Sequence, residues 1–383
     1  MKIKTVLYIF ILLSFIGCEE EFNLSSDKNE NVLVVDGLIT DKPGPYIVTL
    51  SHSSPIGDPS FIPYVDCKVE IINDKGNSEI LKELNPGHYS TAKNGMLGII
   101  GNKYKLSIIT SSGVTYATDF QKMKDKVLID TITADLKYIR DINFPYGKPG
   151  YQFYLDTKIA PTSNNYFLWT LNETYEYDID YKLAFVQNIL GDIIYFDPKY
   201  DTLSTCWKTE KVKKIFTNKT ENLSSSQILG QALHFVSTES KKLTKRYSVL
   251  VNQYLLTEES YNYWSNIENQ MSNEDFFSSR QPYNIRGNIR NINDNNEIVL
   301  GNFTVASLDQ KRIFVDRPRA PFYYTKCVVI LNPESIRDYK KTHDPPYFYV
   351  EVNEVNGLIK ERCIDCRSEG GKLNKPVFWN DIN

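Results

Sequence analysis

A recurring rhythm of short strands and turn residues constrains the fold of this chain more than any other feature. In Val65-Asp66-Cys67-Lys68-Val69-Glu70-Ile71 apolar and polar side chains alternate strictly. That period places Val65, Cys67, Val69 and Ile71 on one face of a half-buried strand. Apolar runs at 31–40 and 46–51 flank Pro43-Gly44-Pro45, and residues 79–84 return from Asn73-Asp74-Lys75-Gly76. Asn85-Pro86-Gly87 turns into His88-Tyr89-Ser90-Thr91, and Tyr104, Leu106 and Ile108 alternate with polar residues ahead of Ser111-Ser112-Gly113. Strands spaced roughly 8 to 12 residues apart with such turns describe a β-sandwich. The 26 Tyr and 19 Phe against only 4 Met support the same assignment, because aromatic residues favour pleated surfaces. The chain reads as mainly β.

A second unit opens after the charged stretch 122–126, so the sequence divides into a sandwich over 32–125 and a larger antiparallel β-rich domain over 126–383. Residues 165–175 are apolar on both faces, which predicts a central strand. Residues 178–222 are less regular. Residues 257–271 break the β pattern: Tyr261, Trp264 and Met271 share one helical face behind early glutamates, predicting one short helix packed on a sheet. Residues 283–293 and 297–308 read as a hairpin, 312–316 as a third strand, and 361–379 as a loop-like tail.

The N-terminus carries an address. Lys2 and Lys4 precede an apolar run of about 11 residues from 6 to 16, then Gly17 and Cys18. A run that short does not cross a hydrocarbon core, which needs about 20 helical residues, and a small residue before the cysteine suits cleavage and lipid attachment. Residues 1–17 are therefore expected to be a lipoprotein signal, Cys18 the lipidated terminus, and 18–31 a polar tether. Phe15 stands where leucine is usual, and an ordinary secretory signal cleaved nearby is the alternative. Glu19, Glu20 and Glu21 read either as a surface-export signal or as a solvated acidic tether.

Outside the cytoplasm cysteines oxidise. Cys67 is expected to be a buried core thiol. Cys206, Cys327, Cys363 and Cys366 form an even set with three possible pairings, and two disulfides are expected. Cys363 and Cys366 should bridge back to Cys206 and Cys327, because a link between near neighbours closes a small loop and constrains little of the unfolded chain. Zinc is the rival reading of Cys363-Ile364-Asp365-Cys366, but it needs two further ligands and His343 is well upstream.

Catalytic signatures are sparse. The chain has no Gly-x-Ser-x-Gly elbow, His-Glu-x-x-His, phosphate loop or dinucleotide fingerprint, so no cofactor and no metal are expected. His52, His88, His234 and His343 are scattered singly. Asp178 and Asp180 are a carboxylate pair that could serve a glycosidase or calcium, and the oxygen-rich cluster 291–296 suits a turn. The net charge of −3, without a basic cluster, argues against nucleic acid as a partner.

Several stretches together carry a resemblance. Residues 31–40 with Pro43-Gly44-Pro45-Tyr46 and Leu50-Ser51, then 281–289, Val299-Leu300-Gly301-Asn302-Phe303, Cys363-Ile364-Asp365-Cys366-Arg367 and Pro376-Val377-Phe378-Trp379, resemble the Bacteroidota lipoproteins grouped as domain-of-unknown-function family 4249. The resemblance implies a surface or outer-membrane lipoprotein, often encoded beside TonB-dependent receptors, with no established activity or catalytic residues to transfer; the expected location is the outer membrane, lipid-anchored and exposed at the cell surface. Residues 32–125 alone resemble immunoglobulin-like or transthyretin-like modules, through Asp74-Lys75-Gly76, Gly87-His88-Tyr89 and Gly101-Asn102-Lys103-Tyr104. The expected function is non-catalytic: binding a glycan or peptide through aromatic side chains, or docking on a TonB-dependent receptor. Hydrolysis of an extracellular glycan by a carboxylate pair is the alternative.

Overall fold

The computed structural model describes residues 32–54, 60–162, 164–196, 203–221, 223–272 and 285–379. Cys18, Glu19, Glu20 and Glu21 lie outside the described residues, as do 281–284. Among those described, ten strands form one long sheet. Eight run in the order Thr205–Lys211, Tyr166–Asp178, Tyr247–Leu256, Leu300–Val315, Leu33–Thr40, Ile47–His52, His88–Ser90 and Lys82–Asn85. A six-stranded sheet built on Lys68–Asn73 and Lys103–Ile109 covers one half of it, and a three-stranded sheet of Ile129–Asp141, Phe144–Thr157 and Gln231–Ser237 covers the other.

Period-two patterning assigns each face. Phe303 and Val305 point into a first core with Val35, Leu50, Ile71 and Leu106, while Ile313 and Val315 on the same strand pack against a second core around Phe153, Phe167, Trp169 and Val249. Along Tyr166–Asp178 the odd residues Phe167, Trp169 and Leu171 enter that second core. Tyr166 and Leu168 face the opposite way, toward the helix Glu258–Ser272. Trp264 of that helix donates its indole N–H to Thr304 Oγ1 at 3.1 Å, which seats the aromatic stripe on the sheet. Tyr166–Asp178 is therefore an interior strand with both faces covered, flanked by Tyr247–Leu256 and by Thr205–Lys211. Trp169 Nε1 donates to Gln253 Oε1 at 2.9 Å, and Gln253 Nε2 donates to the Val127 carbonyl at 2.7 Å, so the polar atoms buried there are satisfied.

Four local expectations change. The unit read as 32–125 is not separated by a break in the sheet: Leu33–Thr40 pairs in parallel with Leu300–Val315, and Ile289–Asn291 pairs with Thr115–Thr118 of the first sandwich. Among the described residues, 285–293 and 297–308 pair only through the isolated antiparallel bridge Arg286–Leu300 instead of a hairpin ladder, and 312–315 ends the long Leu300–Val315 strand rather than starting another. A second helix, Pro333–Thr342, is capped by Asn332, whose side chain accepts from Glu334 N at 2.8 Å. Cys67 is a free thiol of intermediate burial, because regular pairing starts only at Lys68 after Asp66 takes a positive φ of 57°.

Gly301 shows how tight the seam between the two halves is. Its φ is +90°, and a Cβ there would sit 1.9 Å from the Val35 carbonyl oxygen. Gly301→Ala is expected to destabilise the fold by at least about 2 kcal/mol through strain and a broken ladder. Gly113→Ala, with similar φ but open space, should cost about 1 kcal/mol. Equal urea midpoints for the two variants would refute this account of the seam.

Candidate functional site

The irregular stretch after Asp178 and the C-terminal segment build a fourth sheet together. Its strands run Ile193–Tyr195, Phe185–Gln187, Tyr347–Val352 and Val355–Ile359. Cys206 bonds Cys366 and Cys327 bonds Cys363, so the neighbouring cysteines 363 and 366 reach back to different partners. Both bridges oxidise the thiolates that a zinc site would need. They span 160 and 36 residues, which in the chain-entropy view contributes about 3–5 kcal/mol each. The backbone of Trp207 exchanges two hydrogen bonds with Lys372 at 2.9 and 2.8 Å, and Tyr177 donates to the Cys366 carbonyl at 2.5 Å. These contacts clasp the C-terminal lobe to the end of the long sheet.

A pocket of about 600 Å³ lies in that junction. Its walls are the end of Tyr166–Asp178, the 3₁₀ turn Lys241–Leu243, residues 325–330, and residues 358–363 with Glu369. Tyr175, Ile179, Ile330, Leu358 and Tyr339 supply apolar surface. Six cations line it, Lys208, Lys241, Lys242, Lys326, Lys360 and Arg362, against two carboxylates, Asp180 and Glu369.

The cations divide into two sets. Lys241 holds the buried Asp180 at 2.9 Å, and the other Asp180 oxygen accepts from Cys327 N at 2.9 Å. Lys242 holds Glu173 at 2.5 Å and Glu210 at 2.7 Å, and Lys208 lies 3.3 Å from Glu210. Burial alone would depress Lys242, but the hydrogen bonds and charges of Glu173 and Glu210 outweigh it and hold the ammonium more basic than usual. Lys326, Lys360 and Arg362 are exposed and form no ion pair with the described residues. Burial, reinforced by Glu369 and Asp365, pushes the Tyr177 hydroxyl up to about 12, so it stays a neutral donor.

The carboxylate pair read from sequence does not stand free. Asp178 accepts from Lys245 at 2.9 Å and from Thr205 Oγ1 at 2.6 Å, while Asp180 is tied as above. Among the histidines, His52 stacks on Tyr64, His88 on Phe61 and His343 on Tyr339. His234 is the exception: it lies 3.9 Å from Glu173, next to the Lys242 network. Burial, with the charges of Lys242 and Lys214, lowers its pKa to about 4. Glu173 does not reverse that shift because Lys242 and Tyr247, donating at 2.8 Å, already engage its oxygens. In the 291–296 cluster, Asn291 Nδ2 donates to Glu297 and Asp294 Oδ1 accepts from Asn296 N, both internal turn contacts. Among the described residues no group of His, Cys, Asp and Glu has the geometry to hold a metal ion.

Fold and site define a mainly β protein with a cation-lined pocket closed by two disulfides. The chain belongs to the family described as Domain of unknown function (DUF4249), whose model matches residues 19–312. The pocket wall at 325–369 lies beyond that match. No curated protein and no solved structure matches the chain.

The His234 environment sets a pH dependence. Its folded pKa lies below the ordinary value of 6.5, so the unfolded chain binds the extra proton between about 6.5 and 4. Its contribution is complete above pH 6.5 and is lost as pH falls toward 4. His234→Gln should remove up to about 3 kcal/mol of that loss, measured as the difference in unfolding free energy between pH 7 and pH 4. Parallel stability–pH curves for the two proteins would contradict it.

Proposed function

We propose that this chain is a non-catalytic lipoprotein of the Bacteroidota cell envelope. Cys18 anchors it in the outer membrane, Glu19, Glu20 and Glu21 direct it to the cell surface, and its pocket captures a ligand beside a TonB-dependent receptor. The observation that carries this reading is the pocket, with apolar walls and three cations left without an ion-pair partner among the described residues. A volume of about 600 Å³ falls within the range of small-molecule sites. The tether over 18–31 supports it too, since a short polar segment lets a lipid-held domain meet a neighbouring barrel.

Hydrolysis is less well supported. The two-carboxylate mechanism needs a free acid and a free base or nucleophile. In this lining Asp180 is engaged by Lys241 and Cys327 N, leaving Glu369 as the second carboxylate.

Fractionation and co-purification test the proposal. The mature protein should pellet with membranes after a high-salt wash, and Cys18→Ala should release it. From detergent-solubilised outer membranes the tagged protein should bring down a TonB-dependent barrel. A Cys18→Ala protein that stays in the pellet refutes the anchor, and a pull-down with no barrel refutes the partnership.

A further inference from the structure

We propose that the pocket selects a small organic anion: an apolar body carrying a carboxylate, sulfate, sulfonate or phosphate group. This rests on the reading of the pocket as the capture site and adds the chemical class of what is captured.

The charge pattern is the first argument. Three carboxylates, Asp180, Glu173 and Glu210, are each held by a pocket lysine, and they leave Lys241, Lys242 and Lys208 neutralised as structural pairs. Lys326, Lys360 and Arg362 come from the two C-terminal walls and have no such partner among the described residues, with Glu369 as the remaining acid in the lining. The neutralised set is fixed by the fold, and the second set gives the mouth its positive potential. An anion entering there gains the attraction of three cations in a partly desolvated cleft, where charge pairs are stronger than in bulk water. Arg362 adds a planar fork that fits a carboxylate or sulfate through two hydrogen bonds.

The walls supply the second argument. Ile330 and Leu358 face each other across an isolated bridge, their backbones exchanging hydrogen bonds at 2.9 Å, and both line the pocket with Ile179 and Tyr339. Val328 stands 78% exposed beside them. An inorganic anion would satisfy the cations and leave this apolar surface wet. A neutral apolar molecule would cover the surface and bring the cations no counter-charge, removing their water without replacement. A molecule with both parts satisfies both requirements.

The test uses a matched pair of fluorescent probes sharing one skeleton: 8-anilinonaphthalene-1-sulfonate, which carries a sulfonate, and N-phenyl-1-naphthylamine, which does not. The protein is the disulfide-intact chain without its first 18 residues, all of which precede the described fold. The sulfonate probe should bind saturably at one site, at least about tenfold more tightly than the neutral probe, and should weaken as NaCl rises from 50 to 500 mM. The triple variant Lys326→Glu, Lys360→Glu and Arg362→Glu should weaken the sulfonate probe at least about tenfold and leave the neutral probe unchanged. These side chains are exposed, so the variant should melt with the parent. If it does not, Lys326→Gln with Lys360→Gln gives the same comparison at lower charge.

Equal binding of the two probes, or sulfonate binding indifferent to charge reversal and salt, overturns the anionic class and leaves ligand capture standing. Absence of saturable binding by either probe overturns the capture reading and this inference with it.

Discussion

The parallel pairing of Leu33–Thr40 with the first half of Leu300–Val315 is the constraint on which the remaining architecture depends. Parallel neighbours need a long crossover, and here it is almost the whole chain between residue 40 and residue 300. Once formed, the pairing makes one sheet the common wall of two cores. Phe303 and Val305 complete the first, and Ile313 and Val315 flank the second. The two glycines at the seam make the close approach possible: Gly301 lies against the Val35 carbonyl, and a Cβ on Gly287 would meet the Gly301 oxygen at 1.4 Å.

The pocket follows from where that sheet ends. Tyr175 and Tyr177 are the last side chains that Tyr166–Asp178 gives to the second core, and the buried Cys206–Cys366 bridge closes the core at that end. The C-terminal lobe covers it, tied by two disulfides, by backbone contacts and by Cys366 and Leu373, which pack into the second core; its own buried cluster consists of Val350, Ile359, Cys363 and Ile364. A small core needs staples, and two disulfides supply them. Charges buried at the junction are paired one by one, as their desolvation demands, and the unpaired cations are those that solvent reaches.

The strands and their order along the chain were largely legible, because alternation and turn chemistry are local. The interior strand at 166–178 announced itself by apolar residues on both faces, and the Glu258–Ser272 helix by its aromatic stripe. Pairing between distant segments was not legible: nothing local distinguishes Ile289–Asn291 as a partner of Thr115–Thr118 rather than of its neighbour in sequence. The Pro333–Thr342 helix escaped because it is short and polar and buries none of its residues, so its few apolar side chains, Ile336 and Tyr339, make too narrow a stripe to stand out. The pocket escaped for the same reason of distance. Lys242, Lys326 and Arg362 belong to three separated segments, and only the Lys241-Lys242 doublet and the Cys363-Cys366 spacing could have hinted that chemistry gathers there. Asp178 and Asp180 drew attention as a pair, yet each is engaged by its own lysine, Lys245 and Lys241.

The disulfides hold the C-terminal lobe over the end of the long sheet and thereby form the pocket. Hydrogen exchange followed by mass spectrometry, before and after reduction of the disulfides under native conditions, tests it most directly. Protection should fall in peptides covering 325–330 and 358–369 while Tyr247–Leu256 and Leu300–Val315 remain protected. Loss of protection throughout the long sheet, or no change in the C-terminal lobe, would contradict it.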